Sequence, residues 1–414
     1  MGFCRRCCVT CMTALGLAAG AANAAEYETP ASRPAREAVP ASLTGQADVR
    51  VADPVATDGY MYIFTVQSPY GEFKVTGIGA LNKLAHEIWA IGELQQITRG
   101  EAFLDAAKNQ LGKPVTFVKD LATQPGETLR GIPAGIGRLF SNVSTAISSE
   151  RKPSQDSRAQ ELLQVGAFKR DYATRYEVDP YTSNAVLDAE LDKLGKAGAL
   201  GLWTASVATA PISGTAGTVL TATSLSKSFN NILKNEPPAR IRAINEEKLT
   251  AMRIAPAITE AFLDDKVYTP RQSLILVDAL SRLGAVSGRD GFLAASLEAV
   301  DEVEADFFVN MAQILRGYHE TQGRITGIRT LGPLTVAQTA SGAALIPFPL
   351  DYGVWTANAD QLSQHLKANY AAPGFNGRFE FWVRGTLSAR AKEELGARGF
   401  AVSERVDSRI EIID

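Results

Sequence analysis

The chain has 414 residues with 45 acidic against 42 basic side chains, and this mildly acidic balance offers no global attraction to nucleic acid. Its four cysteines, Cys4, Cys7, Cys8 and Cys11, fall within the first eleven residues, and His86, His319 and His365 are its only histidines. A disulfide scaffold is therefore excluded for the rest of the chain, and no metal site and no cofactor are expected.

The chain opens with the pattern of a cleaved signal peptide over residues 1–25. Arg5 and Arg6 supply positive charge, Val9 to Ala22 is uncharged and apolar, and Ala22-Asn23-Ala24 offers a small-x-small cleavage site. The apolar run is too short to span a bilayer stably. Cleavage would remove every cysteine and leave 40 basic against 45 acidic residues, in a bacterial-type protein exported to the periplasm or the cell exterior.

Residues 26–57, with Pro30, Pro34, Pro40 and Pro54 and no apolar period, read as a flexible linker. Residues 58–150 read as a hairpin plus helices. Tyr60 to Val66 and Glu72 to Ile78 form the hairpin around Ser68-Pro-Tyr-Gly71. Leu81, Leu84, Ile88 and Ile91 then mark a helix whose opposite face carries His86, expected in solvent. The apolar stripe over 129–147 carries Gly131 and Gly135, small residues that permit close approach to a helix or to lipid.

Residues 151–320 read as a helical domain. Within it, Ala197 to Ser226 holds 30 consecutive residues without a charge, divided by Pro211-Ile-Ser-Gly214. Each half suits a buried helical hairpin better than a membrane span. Thr269-Pro270 begins a well-capped helix. A second helix is expected from about Asp290 to His319, its acidic start read as a solvated face. Residues 321–414 read as a mixed strand and helix domain. Strands are expected over 324–346, ended by Pro347 and Pro349, then helices around 359–369 and 387–398. Further strands are expected at 379–383, 400–406 and 409–413. The fold class is α+β, predominantly helical.

Motifs exclude more than they assign. His86-Glu87-Ile88-Trp89-Ala90 lacks the second histidine of a zinc-protease helix. Gly284-Ala-Val-Ser-Gly288 has the wrong spacing for a nucleophile elbow, and Lys196-Ala-Gly-Ala-Leu-Gly201 lacks the lysine of a phosphate loop. The segment Pro349 to Thr356 concentrates ligand-binding chemistry at a strand-to-helix junction, with Asp351, Tyr352 and Trp355 as candidates. The turn Asp179 to Ser183 is a weaker case of the same kind. The expectation is a non-enzymatic binding or structural protein of the envelope or exterior, with a protein or small ligand as partner and no nucleic acid. A membrane-associated helical protein, acting through 129–147 or 197–226, and a carboxylate-dependent hydrolase are the alternatives.

Overall fold

The structure, a computed structural model, describes residues 27–101, 103, 136–140, 162–199, 224–332 and 334–413. The expected signal peptide, most of the 129–147 stripe and all but the ends of the 197–226 segment lie outside the described residues. What is described is an α+β fold with a helical middle and a mixed sheet toward the C-terminus.

At the front, β3 (Tyr62–Ser68) pairs antiparallel with β1 (Arg50–Val51), β2 (Ala56–Thr57) and β4 (Gly71–Thr76). Side chains alternate across a strand, so Tyr62, Phe64 and Val66 all reach one core. The described part of 26–57 is built into this unit rather than trailing as a linker. It forms the short helix α1 (Ala35–Ala38) and the strands β1 and β2, and it buries Leu43, Val49 and Val55 against β3. No apolar period announced this, because each buried side chain comes from a different turn.

Helix α2 (Ile78–Thr98) packs its Leu81, Leu84 and Ile88 on the same core. His86 is not in solvent. It is 4% exposed, with Nε2 2.8 Å from the Tyr176 carbonyl oxygen and its ring 5.1 Å from that of Trp89. The face opposite the apolar stripe is covered as well, since Tyr176 comes directly after the first helix of the pair that packs beside α2. That pair is α4 (Leu162–Arg175) and α5 (Ala185–Ala199); the fragment α3 (Gly137–Phe140) precedes it in the chain.

The middle continues through α6 (Ser224–Asn235), α7 (Pro238–Ala251), α8 (Pro256–Leu263), α9 (Pro270–Arg282), α10 (Arg289–Ser296) and α11 (Glu302–Thr321). Helix α9 begins with a complete capping box, in which Thr269 accepts from the Gln272 amide and Gln272 reaches back. The single helix expected over 290–319 is two, α10 and α11. Asp301 breaks it by accepting the Glu304 amide at 2.9 Å as the cap of α11. The acidic start of α11 is not simply a solvated face either. Glu304 is buried and paired with Arg138, and Glu302 bonds Lys83 at 3.3 Å.

The C-terminal sheet has the order β11-β9-β7-β6-β5, from β5 (Ile325–Leu331), β6 (Leu334–Thr339), β7 (Ala344–Phe348), β9 (Phe379–Val383) and β11 (Phe400–Ser403). β5, β6 and β7 are antiparallel neighbours, whereas β7, β9 and β11 run parallel through α12 (Ala357–Asn369) and α13 (Ala389–Ala397). Trp382 of β9 meets Tyr318 of α11 at 4.8 Å, so α11 covers one face, and Phe381 turns to α12 and α13 on the other. A short parallel pair, β8 (Tyr352–Gly353) with β10 (Thr386–Leu387), flanks the main sheet.

Two boundaries differ from expectation. β7 runs through Pro347 to Phe348, which is tolerated because β6 pairs only with Ala344 and Leu345 and the missing proline N–H breaks no ladder bond. Residues 409–413 form no strand. They lie along α11, where Gln313 donates to the Ile413 carbonyl (3.1 Å) and accepts its amide (2.7 Å). Side chains of a helix therefore take backbone groups that a sheet edge would otherwise hold.

Candidate functional site

The N-terminal turns of α2 and α9, one face of α11 and two C-terminal loops line a cleft. Helical periodicity brings Val303, Asp306, Asn310 and Gln313 of α11 to it, each three or four residues from the last. Gln272, already part of the α9 capping box, donates to Asp306 at 2.7 Å. Arg384, in the turn after β9, donates to Asn310 at 2.9 Å. Lys83 enters from α2 and Arg271 from α9, while Asp179 comes from the turn before α5.

Asp351 forms part of the opposite wall and ties two distant elements together. Its Oδ2 accepts the Tyr62 amide at 3.0 Å, and both carboxylate oxygens lie 3.2 Å from the Ile78 amide. The residue preceding α2 is Gly77 at φ 98°, which has no side chain with which to cap the helix. Asp351 supplies that acceptor from the far end of the sequence, placing negative charge at the positive end of α2. Gly385 lets the neighbouring loop come close, since a Cβ there would collide with the Asp351 carbonyl.

Burial pushes the Asp351 carboxyl up to about 6, against the opposing pull of the Tyr62 and Ile78 amides and the Arg384 charge, and Asp58 adds to the rise. Burial also raises the Glu87 carboxyl, which accepts from Thr182 at 2.6 Å and Asn184 at 3.0 Å. For Lys83, burial works to lower the pKa. The carboxylates of Glu87, Glu302, Asp179 and Asp306 more than reverse it, holding the ammonium above its ordinary value.

The three residues singled out from the sequence go to three different places. Asp351 reaches the cleft. Tyr352 stacks on Tyr62, with centroids 6.2 Å apart and planes 9° apart, and the Arg33 guanidinium lies 4.3 Å from its ring centre. Trp355 is 2% exposed beside a second, apolar cavity between the sheet and α12 and α13, with Arg398 4.5 Å over its ring. The aromatic faces of Tyr352 and Trp355 are thus already occupied by protein groups. Asp179, noticed only as part of a turn, lines the cleft, and Asp306 does so from the acidic start of α11. Lys83, Asn310 and Arg384 carried no signal, because nothing in the sequence relates residues on separate elements.

Among the described residues, no group of three or more histidine, cysteine, aspartate or glutamate side chains is placed to hold a metal ion. His319 accepts the Ile325 amide at 3.1 Å, and His365 is paired with Asn369 on α12. Among the described residues, no helix is long and apolar enough to cross a membrane. No protein-family model matches this chain, and neither a curated protein nor a solved structure matches it.

Proposed function

We propose that the protein is an exported binding protein whose cleft between α2, α9 and α11 takes a small polar ligand bearing groups of both charge signs. One observation carries this: Lys83, Arg271 and Arg384 converge with Asp179, Asp306 and Asp351 around one cleft, from several separate elements. Groups of both signs brought to one cleft by several elements are the setting for recognition of a polar ligand. The signal pattern over residues 1–25 supports export, and mass spectrometry of the exported product should find a mature start at Ala25 or Glu26.

Carboxylate-dependent hydrolysis is a second reading, favoured by the Asp351 pKa near 6 in a cleft. Against it, both Asp351 oxygens accept backbone amides, which suits a fastening better than a proton donor aimed at a substrate. The test is extraction. Native mass spectrometry of gently purified mature protein should show a small polar compound, at up to one per chain, that is lost in Arg384→Met. A chain that is bare after gentle purification and takes up nothing from a polar metabolite extract would overturn the proposal.

A further inference from the structure

The first turn of α2 brings donors to the cleft that no protein group takes up. A helix leaves its first amides without intrahelical acceptors. In α2 the Ile78 amide is held by Asp351, and the Leu81 amide bonds the Gly77 carbonyl at 3.0 Å. Among the described residues, the Gly79 and Ala80 amides meet no acceptor, and both residues line the cleft. Beside them stands a second unused group. Thr76, the last residue of β4, is 5% exposed and lines the same cleft, and its buried Oγ1 has no hydrogen-bond partner among the described residues. Its direction follows from the hairpin. Thr76 is the register partner of Ile63, so both project from the face opposite Phe64 and Val66, and Met61, two residues before Ile63, lines the cleft. Buried polar groups are ordinarily hydrogen-bonded, so an unpaired one at the wall of a cleft marks a place for a bound group.

Charge restricts what that group is. The positive end of a helix ordinarily suits an anion. Here the Asp351 carboxylate already sits on the Ile78 amide, and Asp407 lines the same cleft. A second negative charge would meet repulsion at this end, whereas a neutral acceptor would not. An amide carbonyl has two lone pairs for two backbone amides, and a hydroxyl can serve either side of a peptide linkage. Elsewhere in the cleft the protein already holds a peptide unit of its own. Gln313 donates to the Ile413 carbonyl at 3.1 Å and accepts the Ile413 amide at 2.7 Å, and both residues line the cleft.

We propose that the ligand of the cleft is a short zwitterionic peptide, whose amide carbonyl accepts from the Gly79 and Ala80 amides and whose peptide linkage bonds the Thr76 hydroxyl. This rests on the binding reading above and names its ligand: the ammonium end goes to Asp179 and Asp306, and the carboxylate end to Arg271 and Arg384.

The test compares probes that differ only in the peptide linkage. Glycylglycine and 5-aminopentanoate have the same end charges and the same chain length, but the second has no carbonyl. Calorimetric titration of the mature protein with both, and with a panel of other dipeptides, should find dipeptide binding. It should find 5-aminopentanoate weaker than glycylglycine by about tenfold or more, the worth of one or two neutral hydrogen bonds. Thr76→Val keeps the shape and removes the unused hydroxyl, so its melting temperature without ligand should equal or exceed that of the parent, while dipeptide affinity falls about fivefold to tenfold. Thr76→Ser restores the hydroxyl and should restore the affinity. Equal binding of the two probes, parental dipeptide affinity in Thr76→Val, or no dipeptide bound by the parent would each overturn the proposal. A zwitterion without an amide that binds the parent and is lost in Arg384→Met would overturn it too, while leaving the binding reading in place.

Discussion

Asp351 and Trp355 are neighbours in the chain, yet they line cavities of opposite kinds. The space beside Trp355 is walled by Leu362, Phe381, Leu387 and Leu395, whereas the space beside Asp351 mixes apolar side chains with charges from several elements. Apolar space left between a sheet and the helices that cover it is a packing deficit, and filling it improves the fold. Charged groups from several elements that face one space offer a ligand several polar contacts at once. Substitutions at the first cavity should therefore move stability alone, and substitutions at the second should move binding or pH dependence.

The largest effect is expected at the apolar cavity. Trp355→Ala should lose about 3–5 kcal/mol, read by denaturant unfolding, because a buried indole and its contact with Arg398 vanish into an existing void. A loss below about 1 kcal/mol would mean that the ring does not anchor this layer.

Next comes the buried pair of the helical middle. Glu304 is buried, and besides its bond to Arg138 it accepts the Val300 amide at 2.9 Å. Arg138→Ala leaves that carboxylate without its cation and should cost about 3 kcal/mol. A smaller loss is expected from Arg384→Met, whose bond to Asn310 is to a neutral amide, and an equal one would contradict this ranking.

Smaller still is the pH effect at Asp351. Because its pKa is raised in the folded protein, it contributes stability at pH 5 that is lost as pH rises through about 6. Parallel unfolding of the parent and Asp351→Asn should show the parent gaining about 1.4 kcal/mol relative to the variant between pH 7.5 and pH 5. A gap that closes in the other direction would contradict the burial account. The smallest effect belongs to Ala391→Leu, which fills the apolar cavity from α13 and should stabilise by up to about 1 kcal/mol without altering ligand uptake.

Local signals in the sequence carried much of the fold. The β3–β4 hairpin, the Thr269 cap of α9 and the position of β9 all follow from neighbours in sequence. What failed was what tertiary packing decides. His86 lies on the polar side of its helix but under a second layer, and residues 26–57 gain their order from β3 rather than from themselves. The cleft was legible only in Asp351 and, faintly, in Asp179. Its other groups are ordinary surface residue types until α2, α9 and α11 bring them together. The partners of Asp351 were not legible at all, since its carboxylate serves amides at the other end of the chain.

The most direct test of the central claim is a thermal-shift screen of small dipolar compounds, such as amino acids, short peptides and amino sugars, against three proteins in parallel. These are the parent, the Asp306→Asn/Arg384→Met double variant and Ala391→Leu. The account predicts compounds that raise the melting temperature of the parent and of Ala391→Leu by several degrees and leave the double variant unmoved. Equal shifts in all three proteins, or no shift in the parent with any compound, would contradict it.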